Sequence, residues 1–420
     1  MPLNIAMLSY HTCPLATLGG KDTGGMNVYV RELTYALGRL GVHVDVFTRS
    51  QDEHVPHVLH DLGYGNRVVH IPAGPETPRP KSELPLYLGE FSENIHRFAQ
   101  EKNIKYDLIH SHYWMSGLAA LDLKRDWNTP ILHMYHTLGE MKNRITQNEC
   151  EHEPQARLDG ERKILAKVER IVAATPAEKA QLNFLYQAPA GKIVIIPPGV
   201  DISRFYPIPE DEARQVIGIP VDKCLLLFVG RIEPLKGIDT LIRAIAIMLH
   251  QGVLQECPHY LVIIGGEPEA NPGDMSAEME RLQGLCKELD VQDLVIFLGK
   301  RAQETLPYYY SSAQMLIMPS HYESFGMVAL EAMACGTPVV ASQVGGLAYL
   351  IQDGKTGFVV PDRDPEALAA KLTLLIENPA LRRQLGEAST QAAQAYAWEE
   401  IAQQVLEQYK DLLNKPAGNG

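Results

Sequence analysis

The sequence is poor in cysteine, in basic charge and in long apolar runs, and each shortage excludes a class of protein. Six cysteines (Cys13, Cys150, Cys224, Cys257, Cys286 and Cys335) are scattered through 420 residues with no paired metal spacing. That argues for reduced thiols, against a disulfide framework and against a cysteine-held metal. Lysine plus arginine number 38 against 51 aspartate plus glutamate, a net charge of −13. A general nucleic-acid binder or a stable membrane-surface binder would be more basic, so any attraction for phosphate must be local. No apolar run approaches a membrane span, and Met1 to Ser9 lacks the basic region and apolar core of a signal peptide. A cytoplasmic location is the expectation. Internal repeats and low-complexity stretches are missing too.

What is present is an ordinary globular composition, 45% hydrophobic, in a chain long enough for two or three domains. Leu3 to Ser9 is a β-type run, and the glycine-rich segment Leu18 to Gly25 leads into a helical apolar stripe at Tyr29, Leu33, Ala36, Leu37 and Leu40. Gly41 ends that helix before a strand at His43 to Phe47, completing one βαβ unit. The glycines Gly24 and Gly25 let backbone approach a ligand at a helix start, but the pattern is not a G-x-G-x-x-G, and a plain flexible loop remains an alternative. Further β-type runs at 68–71, 107–110, 131–135, 170–174 and 193–196 alternate with helical segments, which predicts an open parallel sheet. Ligands in such sheets gather beyond the strand ends. The residues there are polar: His110 to Trp114 after one run, His136, Thr137 and Leu138 after another, with Lys81 and Arg157 on longer connections.

The proline-rich stretch Pro197 to Pro209 reads as an interdomain linker. A second αβ series follows, with strands expected at 224–229, 260–264, 294–298, 315–318 and 338–341. The predicted fold class is therefore α/β, two facing doubly wound Rossmann-like domains with a cleft between them. The expected boundaries are 1–200, completed by a C-terminal helix over 397–415, and 201–396. Beyond Asp364-Pro365 the chain is expected to be largely helical, with a frayed tail from Pro416.

The densest chemistry lies between Ser320 and Pro338. A strand ends at Met318, a helix is expected from Ser324 or Gly326, and Gly336 reads as its stop. Glu323 then sits just outside the first turn and Glu331 within the helix, with free backbone N–H groups between them that favour an anion. Two carboxylates that accept hydroxyl hydrogen bonds, flanking a helix start that accepts phosphate, suit a nucleotide-sugar. Two solvated glutamates would have the same spacing. In the second series, Arg231 and Lys236 in Gly230-Arg231-Ile232-Glu233-Pro234-Leu235-Lys236-Gly237 lie between a strand and a helix, where they can neutralise a diphosphate without a metal.

Taken together these residues resemble the retaining, two-Rossmann-domain glycosyltransferases of the GT-B architecture, family 4. That group includes glycogen, sucrose and sucrose-phosphate synthases and the inositol-phosphate transferase of mycothiol synthesis. The resemblance covers nearly the whole chain and rests on the E-x7-E element Glu323/Glu331, the G-R-x-x-P-x-K-G element from Gly230 to Gly237, Gly24-Gly25 and His136. It implies that Arg231 and Lys236 hold the donor diphosphate, that Glu331 takes the ribose hydroxyls and that Glu323 takes the transferred sugar. Ser324, Phe325 and Gly326 would lie at the donor, Arg301 against the base, and His136 beside the donor sugar near the reaction centre. It implies a front-face transfer in which the leaving diphosphate helps to deprotonate the acceptor, with no cofactor required and a UDP-sugar as co-substrate. No D-x-D motif serving the diphosphate stands out, so magnesium is compatible but not implied by a motif.

For the acceptor, Asn27, Lys81, Tyr113, Thr137 and Arg157 match positions that the family uses, the last four for an acceptor phosphate. A phosphorylated small acceptor is implied. Gly24-Gly25-Met26-Asn27 resembles the inositol-phosphate branch, but the free use of Ile, Lys, Gln and Tyr is unlike high-GC proteins of that pathway. The sequence therefore leans to UDP-glucose and fructose 6-phosphate, as in sucrose-phosphate synthases. The alternatives are transfer of N-acetylglucosamine to inositol phosphate and a noncatalytic sugar-nucleotide sensor. A lipid glycosyltransferase would show a basic amphipathic helix, and a pyridoxal-dependent phosphorylase a marked Schiff-base lysine; neither is evident.

Overall fold

The computed structural model describes residues 2–16, 24–146, 152–220, 223–254, 259–267 and 276–414. The expected loop glycines Gly19 and Gly20, the thiols Cys150 and Cys257 and the tail from Pro416 lie outside the described residues. The chain forms two compact units, Met1–Gly199 with Trp398–Gly420, and Val200–Ala397.

The first unit is built on eight strands: β1 (Asn4–Leu8), β2 (His43–Arg49), β3 (Val58–Leu59), β4 (Arg67–Ile71), β5 (Leu108–His112), β6 (Ile131–Met134), β7 (Arg170–Ala173) and β8 (Ile193–Ile195). Their order is β3-β4-β2-β1-β5-β6-β7-β8, parallel except for β3 against β4. Residues of β1, β5 and β6 are almost wholly buried, as a sheet covered on both faces requires; β1 reads as an apolar run, whereas β5 and β6 bury the polar side chains of His110, Ser111, His112 and His133. β3 carries no local signal, because it is two residues long and has no period to detect.

The second unit carries β9 (Cys224–Val229), β10 (His259–Ile264), β11 (Val295–Gly299), β12 (Met315–Met318), β13 (Val339–Ser342) and β14 (Gly357–Val360). Their order is β11-β10-β9-β12-β13-β14, with parallel pairing throughout. β14 was not expected, because it opens on a glycine directly after the Gly354 turn. Gly357 is needed there, since a Cβ would stand 2.1 Å from the Val339 carbonyl oxygen.

The proline-rich stretch is not a free linker. From Val200 it belongs to the second unit, where Val200 bridges to Ala397 and the buried Phe205 packs on Tyr310 at 6.1 Å between ring centroids. The last helix, Trp398–Asn414, belongs to the first unit. Its Tyr409 hydroxyl lies 2.7 Å from His110 Nδ1, and Trp398 packs so closely on Gly199 that a Cβ there would come within 2.6 Å of the indole.

Candidate active site

In the second unit, β12 delivers the chain into a loop, and the helix Met327–Ala334 starts after Gly326, whose φ of +105° favours glycine. That loop is clamped on two sides. His321 N donates to the Leu235 carbonyl at 2.9 Å, and Gly346 N donates to the Glu323 carbonyl at 2.9 Å. Gly237, at φ +63°, permits the first contact, because a Cβ there would stand 2.0 Å from the Pro319 carbonyl oxygen. Gly345 permits the second, where a Cβ would be 2.0 Å from the Glu323 carbonyl oxygen.

The clamp brings the two sequence elements together. Lys236 Nζ lies 2.6 Å from Glu323 Oε2, and the side chains are only 19% and 17% exposed. Neither is the solvated surface charge that a loop position suggests. Arg231, on the exposed loop after β9, pairs with Glu233 at 2.7 Å. Ser324 is half-buried, and Phe325 is buried against Tyr396 at 6.0 Å. Glu331 is buried in the helix and accepts from the Tyr310 hydroxyl at 2.8 Å. Arg301, just beyond β11, donates to the Tyr309 hydroxyl and to the Lys300 carbonyl, at 3.2 and 2.8 Å.

In the first unit, β5 and β6 end in a cluster of rings. His136 follows β6 with φ +61°, an unfavourable backbone for a residue with a side chain, and its Nε2 lies 3.0 Å from His112 Nδ1. Burial lowers the His136 pKa to about 3 and pushes His112 well below its usual value, so both rings are neutral near pH 7. Tyr29 packs edge-on against His136 at 5.2 Å. Gly24 precedes the helix Gly25–Arg39, and a Cβ there would meet nothing within 4 Å among the described residues, whose packing does not demand glycine.

Tyr113, Thr137 and Arg157 converge, with Lys81 beside them. Lys81 Nζ sits 4.6 Å from the Tyr113 ring centre and the Arg157 guanidinium 4.9 Å from it. Arg157 stands on the long connection between β6 and β7, as expected, but on a packed part of it. It lies buried on the helix Gln155–Lys167, and its N–H groups face Glu161, Glu153, the Tyr113 hydroxyl and both oxygens of Thr137. A guanidinium has five N–H donors, so an added anion would have to displace one of these partners. Asn27 is buried at the start of the helix Gly25–Arg39. Its amide donates to Thr12 Oγ1 and to the Cys13 carbonyl at 2.6 and 2.7 Å and accepts from Gly24 N at 3.0 Å, so it also holds the backbone around it.

Residues 209–392 match the model for glycosyl transferases group 1, and residues 23–204 match glycosyltransferase family 4. The chain belongs to these glycosyltransferases. A D-inositol 3-phosphate glycosyltransferase of Kineococcus radiotolerans is 40% identical over 98% of this chain and 96% of its own. The solved sucrose-phosphate synthase from Thermosynechococcus elongatus is 37% identical, with a TM-score of 0.87 over 98% of this chain and 99% of that one. The catalytic domain of starch synthase IV from Arabidopsis thaliana, 15% identical with a TM-score of 0.76 over 99% of this chain and 100% of its own, shares the fold.

Several residues around the candidate site of this glycosyltransferase escaped the sequence reading. Tyr310 and Gln303, which hold Glu331, sit 21 and 28 positions from it, and no local spacing connects them. Glu161 was within reach, since it lies one helical turn from Arg157. It is buried, and its carboxylate accepts from Arg157 Nε at 2.8 Å and from Gly139 N at 3.1 Å. The one D-x-D pattern in the chain, Asp362-Arg363-Asp364, has other partners: Asp362 meets His321 at 2.7 Å, and Asp364 caps the helix Pro365–Glu377. Among the described residues no group of three or more His, Cys, Asp or Glu could hold a metal. No helix among them is long and apolar enough to cross a membrane.

Proposed function

We propose that this glycosyltransferase retains the anomeric configuration and moves a glucosyl unit from UDP-glucose to a phosphorylated small acceptor, with fructose 6-phosphate, giving sucrose 6-phosphate, as the first reading. The observation that carries it is the Lys236–Glu323 pair, 2.6 Å apart just before a helix start. A cation, a hydroxyl acceptor and free helix N–H groups then meet at one place, as a sugar diphosphate requires. The donor diphosphate exchanges Lys236 and Arg231 away from their carboxylate partners, and Glu323, so released, accepts from the sugar hydroxyls. The bond from the anomeric carbon to the diphosphate oxygen breaks as the acceptor oxygen adds on the same face, and the acceptor proton passes to the departing phosphate. Arg231 and Lys236 stabilise the charge that develops there. His136, uncharged, serves as a hydrogen-bonding neighbour of the sugar rather than as a base.

For the acceptor, Lys81 supplies positive charge above Tyr113, while Arg157 keeps Tyr113 and Thr137 in place. The likeness to a sucrose-phosphate synthase at 37% identity supports fructose 6-phosphate. A second reading, inositol phosphate with UDP-N-acetylglucosamine, is favoured by relatives of that name at 38% to 40% identity and by Gly24-Gly25-Met26-Asn27. Both acceptors carry a phosphate. Released UDP and the product's anomeric configuration, measured for UDP-glucose with fructose 6-phosphate beside UDP-N-acetylglucosamine with inositol phosphate, decide between them. Turnover of only the second pair overturns the first reading, and donor binding with no turnover of either indicates a sensor.

A further inference from the structure

Glu331 is held at both oxygens by residues to which nothing so far gives a role. Tyr310, on the helix Leu306–Ser312, donates from its hydroxyl to Oε2 at 2.8 Å, and Gln303 donates from Nε2 to Oε1 at 3.4 Å. All three side chains are buried. Burial, and next the adjacent carboxylate, push the Tyr310 hydroxyl well above its usual pKa, so it remains a donor. Tyr310 is itself fixed, because the Thr337 hydroxyl donates to its carbonyl at 2.7 Å and Phe205 packs on its ring. Gln303 accepts at Oε1 from Arg204 at 3.3 Å, and Arg204 pairs with Asp201 at 3.6 Å. The carboxylate is thus tied to two different elements, and through one of them to the first residues of the second unit.

One donor on each oxygen fixes the plane of a carboxylate as well as its place. A fixed plane matters little for a lone charge but much for a vicinal diol, whose two hydroxyls must reach two oxygens at once. We infer that Tyr310 and Gln303 are positioning residues that lock the Glu331 carboxylate and thereby make the site select a nucleoside diphosphate bearing both ribose hydroxyls over its 2′-deoxy counterpart. This rests on the reading of Glu331 as the ribose acceptor. A site built to bind a hydroxyl loses heavily when the hydroxyl is absent, because the groups that would receive it are left unpaired.

The test compares UDP-glucose with 2′-deoxy-UDP-glucose in the full chain and in Tyr310→Phe, with fructose 6-phosphate or inositol phosphate as acceptor. The expected wild-type preference in kcat/KM is about 100-fold, falling to about 10-fold in the variant through a higher KM for UDP-glucose, with kcat within about twofold. Little change is expected for the deoxy donor. An unchanged preference, or an equal loss on both donors, overturns the inference. Should Tyr310→Phe fail to fold, Gln303→Leu is read in the same way. Calorimetric binding of UDP against 2′-deoxy-UDP, with no acceptor, separates this from the transfer reading. Discrimination that is lost in Tyr310→Phe supports the inference even if no sugar moves, an outcome that would sink the transfer reading alone. Equal wild-type binding of the two nucleotides overturns the inference and leaves the transfer reading standing.

Discussion

Replacing Lys236 with methionine separates folding from chemistry. The side chain keeps most of its length and loses its charge, so the change falls mainly on the 2.6 Å pair with Glu323. At less than one-fifth exposure on each side, that pair lies between a surface ion pair, worth about 0–1 kcal/mol, and a fully buried one, whose breaking costs about 3–5 kcal/mol. The expected loss of stability is about 1–2 kcal/mol, more than for a free surface cation, because Glu323 is left half-buried without its cation. In a unit of this size such a loss lowers its melting temperature by roughly 2–8 °C. The effect on transfer should be larger. Removing one preformed charge from a leaving group typically costs about 10²–10³ in kcat, or about 3–4 kcal/mol. Calorimetric melting and UDP release on the same preparation read both quantities, and Lys236→Met combined with Glu323→Gln measures their coupling. A folded Lys236→Met variant with near-normal kcat refutes the assignment of this lysine to the leaving diphosphate.

Four other outcomes are expected. Gly237→Ala must place a Cβ 2.0 Å from the Pro319 carbonyl at φ +63°, and should destabilise the second unit by about 2 kcal/mol or more and raise the donor KM; chemical denaturation and donor titration check both. Arg157→Lys gives up the planar fork that holds Glu161, Tyr113 and Thr137, and should raise the acceptor KM about 10-fold while costing about 2–3 kcal/mol in denaturant unfolding, with kcat less affected. His110 and His136, with pKa values lowered to about 3 by burial, bind protons only in the unfolded chain between about pH 6.5 and 3. Their stabilisation is complete above about pH 6.5 and is lost as pH falls, so the melting temperature of the first unit should drop steadily below pH 6.5. Glu178 has the opposite sign: burial raises its carboxyl to about 7 from 4.5, so the folded state loses stability as pH rises through that window. Glu178→Gln should therefore raise the melting temperature at pH 8 more than at pH 5, and an equal change at both would refute the assignment.

Much of the architecture was legible because strands buried on both faces leave continuous apolar runs, and because glycine and proline punctuate them. The central runs of both sheets, the helix after Gly326 and the stop at Gly336 all rest on such local signals. The placement of the candidate residues beyond strand ends was legible within each unit, for Glu323 and Lys236 in the second and for His136 in the first. What escaped were elements too short to show a period, such as β3, and partners far apart in sequence, such as Tyr310 with Glu331.

The sequence by itself determined the α/β rhythm, the acidic, cysteine-poor character of the chain and which charged residues stand beyond strand ends, since each of these depends on residue type and local spacing. Only the tertiary structure decided which of those residues meet. Lys236 and Glu323 pair across 87 positions because two loops pack through glycines that leave no room for a side chain. Arg157, an exposed cation by composition, is buried because acceptors from Tyr113, Thr137, Glu153 and Glu161 surround it. A side chain's charge is written in the sequence, but its partners and its exposure are set by which backbones can approach one another, and that is settled only when the sheets and their connections pack.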